Sequence, residues 1–146
     1  MNKQQVVPLF YAVDASDIAA LCQVTSVHES LVDFWRSKGS ADYNRDVDGA
    51  TIEPLITNQV LGPDEVIELI AEPTYDTEAI IKLGVPFFVK LDREFVAITD
   101  TGEVVQAKPD GSPLVLAASL SEFLDKVTER PLFYDDYLPP GDFLPD

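Results

Sequence analysis

The stretch between Asp42 and Glu53 has the residue spacing that comes closest to a metal site. Oxygen-bearing side chains stand there at alternate positions, namely Asp42, Asn44, Asp46 and Asp48. Hard cations such as calcium take oxygen ligands in patterns of this kind. Counted as an EF-hand loop from Asp42, Glu53 falls at the last ligand position but Gly49 comes two places late; counted from Asn44, the glycine fits and Leu55 takes the last position. Because neither register completes the pattern, we expect a solvated acidic loop, no bound metal and no cofactor.

Catalysis in this chain would have to rest on carboxylates. The sequence holds one histidine, His28, and one cysteine, Cys22, and neither stands in a nucleophile motif. With 26 acids against 10 bases, most carboxylates are expected to solubilise the surface, so the sequence predicts no enzymatic activity. Cys22 is expected to be a small buried side chain on a helix, because no base stands at helical spacing to activate it.

The distribution of the acids is more informative than any one of them. Nine acids and no base lie between Arg45 and Lys82, and we call them the acidic lobe: Asp46, Asp48, Glu53, Asp64, Glu65, Glu68, Glu72, Asp76 and Glu78. Two explanations stay open, solubility or a face that meets a basic partner, whose association a uniform field would speed. The second explanation gives seven candidate contact residues: Asp46, Asp48, Glu53, Asp64, Glu65, Glu68 and Glu72.

Composition limits the classes of function. The 146 residues carry a formal charge of −16, which argues against nucleic-acid binding through a basic face. A hydrophobic content of 46% at this length predicts one globular domain with its own core. The single cysteine excludes an intrachain disulfide and favours the cytoplasm. The apolar runs are too short to cross a bilayer, so no membrane partner is expected.

Residues typical of helix ends mark three predicted helices, one of which carries acids of the acidic lobe. Ser26 and Glu29 form a capping-box pattern before a helix that Gly39 ends. Pro63 suits the first position of a second helix, whose outer face carries the acids at 64, 65, 68 and 72. A second box, Ser119 with Glu122, opens a closing helix. The sequence therefore predicts helices before and after residues 87–117.

Between residues 87 and 117 the hydrophobic period changes to two. Turn residues at 100–102 and 109–113 separate the apolar runs, which is typical of an antiparallel meander. We predict a single α+β domain in which this meander packs against several α-helices. The expected shared core is Leu31, Phe34, Trp35, Leu69, Phe87, Val89, Val96, Phe123 and Leu124.

The division predicted along the chain is a domain over 1–130 and a C-terminal tail over 131–146. The tail contains four prolines, four aspartates and no base, with aromatic residues between them. Because a fully solvated tail usually carries fewer aromatics, part of it is expected to dock on the domain. The aromatic tail is the alternative surface for contacting a partner.

The order of these pieces resembles the SUKH superfamily, which includes the Smi-one/Knr-four regulators of fungal cell-wall synthesis and many bacterial immunity proteins. Three stretches carry the resemblance. They are residues 31–39, a helix with aromatics that ends at a glycine; residues 58–66, a strand leading into a helix; and residues 98–105 with 118–124, a hairpin followed by a Ser-x-x-Glu-Phe-Leu helix. The resemblance spans about residues 16–129.

This resemblance implies an α+β domain with an antiparallel sheet, no catalysis and a surface that binds a protein. In many members the bound protein is a toxin delivered by a competing cell, and the acidity of this chain would suit a basic toxin. The expected function is therefore that of a bacterial immunity protein that neutralises a basic toxin or effector. The alternative is a cytosolic regulatory scaffold of the same fold without a toxin partner.

Overall fold

The computed structural model describes residues 6–45, 48, 58–75, 77–91, 94–131 and 133–134. The strands are β1 (Leu9–Tyr11), β2 (Ser40–Asp42), β3 (Gln59–Val60), β4 (Val85–Leu91), β5 (Glu94–Ile98), β6 (Val104–Ala107) and β7 (Pro113–Ala117). The helices are α1 (Ala15–Val24), α2 (Glu29–Ser37), α3 (Pro63–Ala71), α4 (Glu78–Ile81) and α5 (Leu120–Glu129).

The strands form one antiparallel sheet whose spatial order, β1 to β7, follows the chain. Helices α1 and α2 connect β1 to β2, α3 and α4 connect β3 to β4, and α5 follows β7. The predicted α+β arrangement, with a meander packed against helices, is therefore confirmed. The sheet is also larger than the predicted meander, because β1, β2 and β3 extend it on the β4 side.

Strand alternation sends apolar side chains to both faces of the sheet. On β5, Val96 and Ile98 belong to the main core, whereas Ala97 packs with Ile80 of α4 and Val105 of β6 in a smaller cluster. The predicted core residues all lie in or against the main cluster, although Phe34 and Leu69 are only partly buried.

Phe123 of α5 is the centre of an aromatic group in the main core. Its ring centroid lies 5.9 Å from that of Phe87, 4.9 Å from that of Phe88 and 5.6 Å from that of Phe133, each pair in an edge-to-face arrangement. A register shift between Pro86 and Phe88 lets two successive residues of β4 reach the same ring.

The helix ends show which capping signals were correct. Ser119 caps α5 as predicted, because its hydroxyl accepts from the amide of Glu122 at 3.1 Å. The Glu122 carboxylate accepts from the amide of Ala118 at 2.6 Å rather than from that of Ser119, so the other half of the predicted box is shifted by one residue. The prediction for Ser26 is wrong. Helix α2 begins at Glu29, and the imidazole Nδ1 of His28 accepts from the amide of Ser30 at 3.2 Å. The ring acceptor thus takes the role that a hydroxyl usually fills.

The prediction for Cys22 is wrong, whereas the predicted docking of part of the C-terminal segment agrees with the structure. Cys22 was predicted to be buried, but it is exposed, because α1 turns Ile18 and Leu21 inward and leaves the next residue on the solvent side. In the segment after Arg130, Phe133 and Tyr134 are buried, with 4% and 1% of their surface exposed. The aromatic content of this segment therefore does reflect docking on the domain.

A buried polar group holds Tyr134 in place. The Tyr134 hydroxyl donates to Oδ1 of Asn58 at 2.8 Å, and the Asn58 amide donates to the carbonyl of Pro131 at 3.0 Å. The Nζ of Lys90 lies 4.5 Å from the centroid of the Tyr134 ring and 3.2 Å from the carboxylate of Glu94. Tyr134 thus covers a lysine that is itself only 2% exposed.

Candidate functional site

The acids of α3 project into solvent from one side of the helix. At 3.6 residues per turn, Asp64, Glu65 and Glu68 fall within an arc about 100° wide, while Val66 points to the core. Pro63 occupies the first helical position, and acids in the first turn complement the positive end of the helix. Glu72, which follows the last residue of α3, is exposed as well. The stripe predicted from the sequence is therefore a solvent-facing surface.

Beside this surface lies a cleft of about 370 Å³, which we call the α3 cleft. Its floor is a cross-strand row in which Gln59 of β3 pairs with Val89 of β4, and Val89 pairs with Phe95 of β5. Leu61, Glu65, Glu68 and Leu69 complete the lining. The cleft therefore combines a floor that is apolar at Val89 and Phe95 and polar at Gln59 with two carboxylates on the α3 side. Its volume is at the small end of ligand-binding pockets.

Two hydrogen bonds fix the segment that leads into α3. The indole Nε1 of Trp35 donates to the carbonyl of Leu61 at 2.9 Å. The amide of Gly62 donates to Oε1 of Glu65 at 3.1 Å, so this carboxylate is held against the start of its own helix. The cleft wall is consequently attached to the buried core through Trp35.

The charges of the site are uncompensated within the described part of the chain. Asp64, Glu65, Glu68 and Glu72 make no ion pair with any residue of the described ranges, whose salt bridges are Lys90 with Glu94 and Lys126 with Glu122. The described residues that line the α3 cleft include two acids and no base. A cationic group of a partner would therefore be attracted to these carboxylates, because none of the described basic residues forms an ion pair with them.

The seven predicted contact residues fall into three groups. Asp64, Glu65, Glu68 and Glu72 lie together on or next to α3, and Asp48 is exposed elsewhere on the chain. Asp46 and Glu53 lie outside the described residues. The sequence does not predict the cleft floor, although Val89 and Phe95 lie in predicted strands, because their alignment depends on the register between strands.

The side chains considered for a metal form no cluster within the described ranges. Asp42 ends β2, and its Oδ1 accepts from the amide of Asn44 at 2.8 Å, which is a local turn contact. Within those ranges no three side chains of the types His, Cys, Asp and Glu converge as metal ligands would. The loop considered for calcium lies largely outside the described residues.

A second groove, of about 390 Å³, opens between β1, α2 and α5, and we call it the β1 groove. Phe10, Phe34 and Leu124 supply apolar lining, and Tyr43 is buried at its base. Burial raises the pKa of Tyr43 to about 12, and the nearby Asp125 carboxylate adds to the rise.

The raised pKa of Tyr43 gives a pH dependence of stability. The neutral phenol is favoured in the folded chain, so its contribution is complete below pH 10 and is lost as the pH rises toward about 12. We expect the unfolding free energy to fall by about 2–3 kcal/mol over that interval. Tyr43→Phe should show a correspondingly smaller fall in denaturant titrations at each pH. Identical pH profiles for the two proteins would contradict this assignment.

None of the described helices combines the length and apolar character needed to cross a membrane. Comparisons with protein-family models, with curated proteins and with solved structures give no match to this chain.

Proposed function

We propose that this chain is a non-catalytic module that binds a basic protein partner through the acidic side of α3 and the adjoining α3 cleft. The observation that carries the proposal is the juxtaposition of an apolar surface, Val89 with Phe95, and two carboxylates, Glu65 and Glu68, that form no ion pair with any described residue. Apolar contacts of this kind slow dissociation, whereas exposed charges speed encounter. A basic segment with an apolar side chain at its centre would use both.

Two side chains of types that often act in catalysis have structural contacts in this fold. His28 uses Nδ1 to cap α2, and Lys90 is buried beneath Tyr134. Cys22 stands exposed on α1. We propose that the module has neither a catalytic group nor a cofactor and that it works in the cytoplasm.

For the biological role, we propose an immunity protein that neutralises a basic toxin or effector by covering it. This role follows from the SUKH resemblance together with the −16 charge. The alternative is a regulatory scaffold of the same fold. Growth of cells that express the captured partner separates the two roles: the toxin interpretation requires that the partner arrest growth and that co-expression of this chain restore it.

The test of the binding surface is kinetic. The partner is captured with the full chain, identified, and measured by surface plasmon resonance over a tenfold range of salt. The test variant combines Asp64→Asn, Glu65→Gln, Glu68→Gln and Glu72→Gln, which keep side-chain size. We expect its association rate to fall by about tenfold or more at low salt, with a smaller change in dissociation rate.

A matched variant controls for net charge. Asp100→Asn, Glu103→Gln, Asp110→Asn and Glu129→Gln remove the same number of exposed acids outside α3. The α3 variant should lose more of the association rate than this control. Equal losses, or a rate that does not respond to salt, would contradict the proposed surface.

A further inference from the structure

The edge strand β1 is the most apolar exposed element among the described residues. Leu9, Phe10 and Tyr11 are 45%, 42% and 53% exposed, and β1 is the first strand in the order of the sheet. We propose that β1 accepts an extended, basic segment of a partner protein as an added antiparallel strand. This surface is separate from the α3 cleft, so binding at β1 can be tested independently of binding at the cleft.

Backbone direction along β1 shows which groups a new strand would meet. The amide of Val7 donates inward to the carbonyl of Arg45 at 2.8 Å, and the carbonyl of Tyr11 points inward against Gly39. Backbone groups alternate along a strand, so those of Phe10, between these two odd-numbered positions, point outward. Phe10 therefore offers one donor and one acceptor, the pair that a neighbouring strand uses.

Strand β7, at the opposite edge of the sheet, is protected against pairing with another strand. Strand β7 begins with Pro113, which has no amide proton. The carbonyl of Leu116 accepts from Nζ of Lys126 at 3.1 Å, and the amide of Ala118 donates to the carboxylate of Glu122. Proteins commonly guard edges with such proline and lysine contacts. On β1 the guard is partial: Pro8 lacks an amide proton and Nζ of Lys38 lies 5.4 Å from the centroid of the Phe10 ring. Within the described ranges no side chain hydrogen-bonds the backbone of Phe10, so this residue keeps its outward donor and acceptor.

The β1 groove gives a place for a side chain of the added strand. The rings of Phe10 and Phe34 have centroids 6.2 Å apart, and Leu124 of α5 extends the same apolar lining. Alternate side chains of a strand point to one face of the sheet, so one of them would face this groove. Main-chain bonds to Phe10 would hold the strand, and the groove would select an apolar residue.

Charge decides the chemistry of the occupant. Residues 6–13 carry no charge, and the charged lining of the β1 groove is Asp33 and Asp125 against Lys38. The whole chain adds a charge of −16. A second copy would bring the same negative charge, whereas a segment with lysine or arginine next to apolar residues would be attracted. The occupant that fits is therefore a basic, alternating strand.

The experiment uses the full chain and a defined probe, a seven-residue capped peptide of alternating lysine and valine. Hydrogen exchange followed by NMR reports on the Phe10 amide. We expect saturable binding and at least about tenfold slower exchange of that amide, because one or two net hydrogen bonds correspond to this factor. Absence of binding at millimolar peptide, or binding without protection of Phe10, would overturn the proposal.

Two matched peptides and one protein variant test whether the binding is specific. A peptide N-methylated at the amides that would pair with β1 should bind about tenfold more weakly, since it lacks those donors. A peptide with glutamate in place of lysine should also lose about tenfold at low salt. Phe10→Pro should abolish binding while leaving the unfolding transition cooperative. Equal binding of the methylated peptide, or protection of Phe10 that grows with protein concentration alone, would overturn the proposal, the latter in favour of a second copy.

Discussion

Replacing Phe123 with alanine is expected to lower the free energy of unfolding by about 3–5 kcal/mol. The ring is fully buried and meets the rings of Phe87, Phe88 and Phe133. Its removal would leave a cavity between α5 and β4 in addition to the lost transfer free energy. Chemical denaturation followed by circular dichroism measures the loss.

Val115→Ala is the matched control for that measurement, because Val115 is apolar but 43% exposed on the edge strand β7. Its cost should stay within about 0.5–1 kcal/mol. A loss below about 0.5 kcal/mol for Phe123→Ala would show that α5 does not pack on β4 in solution as it does here.

A chain that ends at Arg130 should lose about 5 kcal/mol or more, or fail to fold, because both Phe133 and Tyr134 are removed from the core. The truncation would also uncover Lys90, whose ammonium group lies against the Tyr134 ring. The matched control ends at Tyr134 and keeps both rings. We expect the control to retain a cooperative unfolding transition near that of the full chain.

A point variant separates packing from hydrogen bonding in the same region. Tyr134→Phe keeps the ring but removes the donor to Asn58, which is fully buried, and should cost about 1–3 kcal/mol. If the chain ending at Arg130 unfolded at the same denaturant concentration as the chain ending at Tyr134, the docking of this segment would be wrong. The comparison also shows that contact through the tail must be tested with residues up to Tyr134 present.

The part of the fold that sequence predicted correctly rests on repeated local signals. Strands β4 to β7 are mostly apolar runs of four to seven residues, and Ser119 with Glu122 marks the start of α5, so several independent features agree. Strands β1, β2 and β3 contain only two or three residues each, too few for a period to show. Their place in the sheet is set by pairing with distant residues, such as Val60 with Phe88.

The sequence likewise predicts one part of the candidate site and not the other. The acidic side of α3 could be predicted, because spacing on a helix fixes which residues share a side. The floor of the α3 cleft could not, because the alignment of Gln59, Val89 and Phe95 depends on register shifts within β4. For α2, the cap is His28 rather than Ser26, because a ring nitrogen can also accept an amide proton, in this case that of Ser30.

The central claim is that a basic partner binds at the α3 cleft, and the most direct measurement is the dissociation constant of a cleft variant for the captured partner. Leu69→Lys places a cation between the apolar floor and the acids, whereas Val115→Lys adds the same charge on β7. Both variants should first be shown to unfold cooperatively. We predict at least about a hundredfold weaker binding for Leu69→Lys, in the range of a hot-spot loss, and at most a few-fold change for Val115→Lys. Equal dissociation constants for the two variants would contradict the claim.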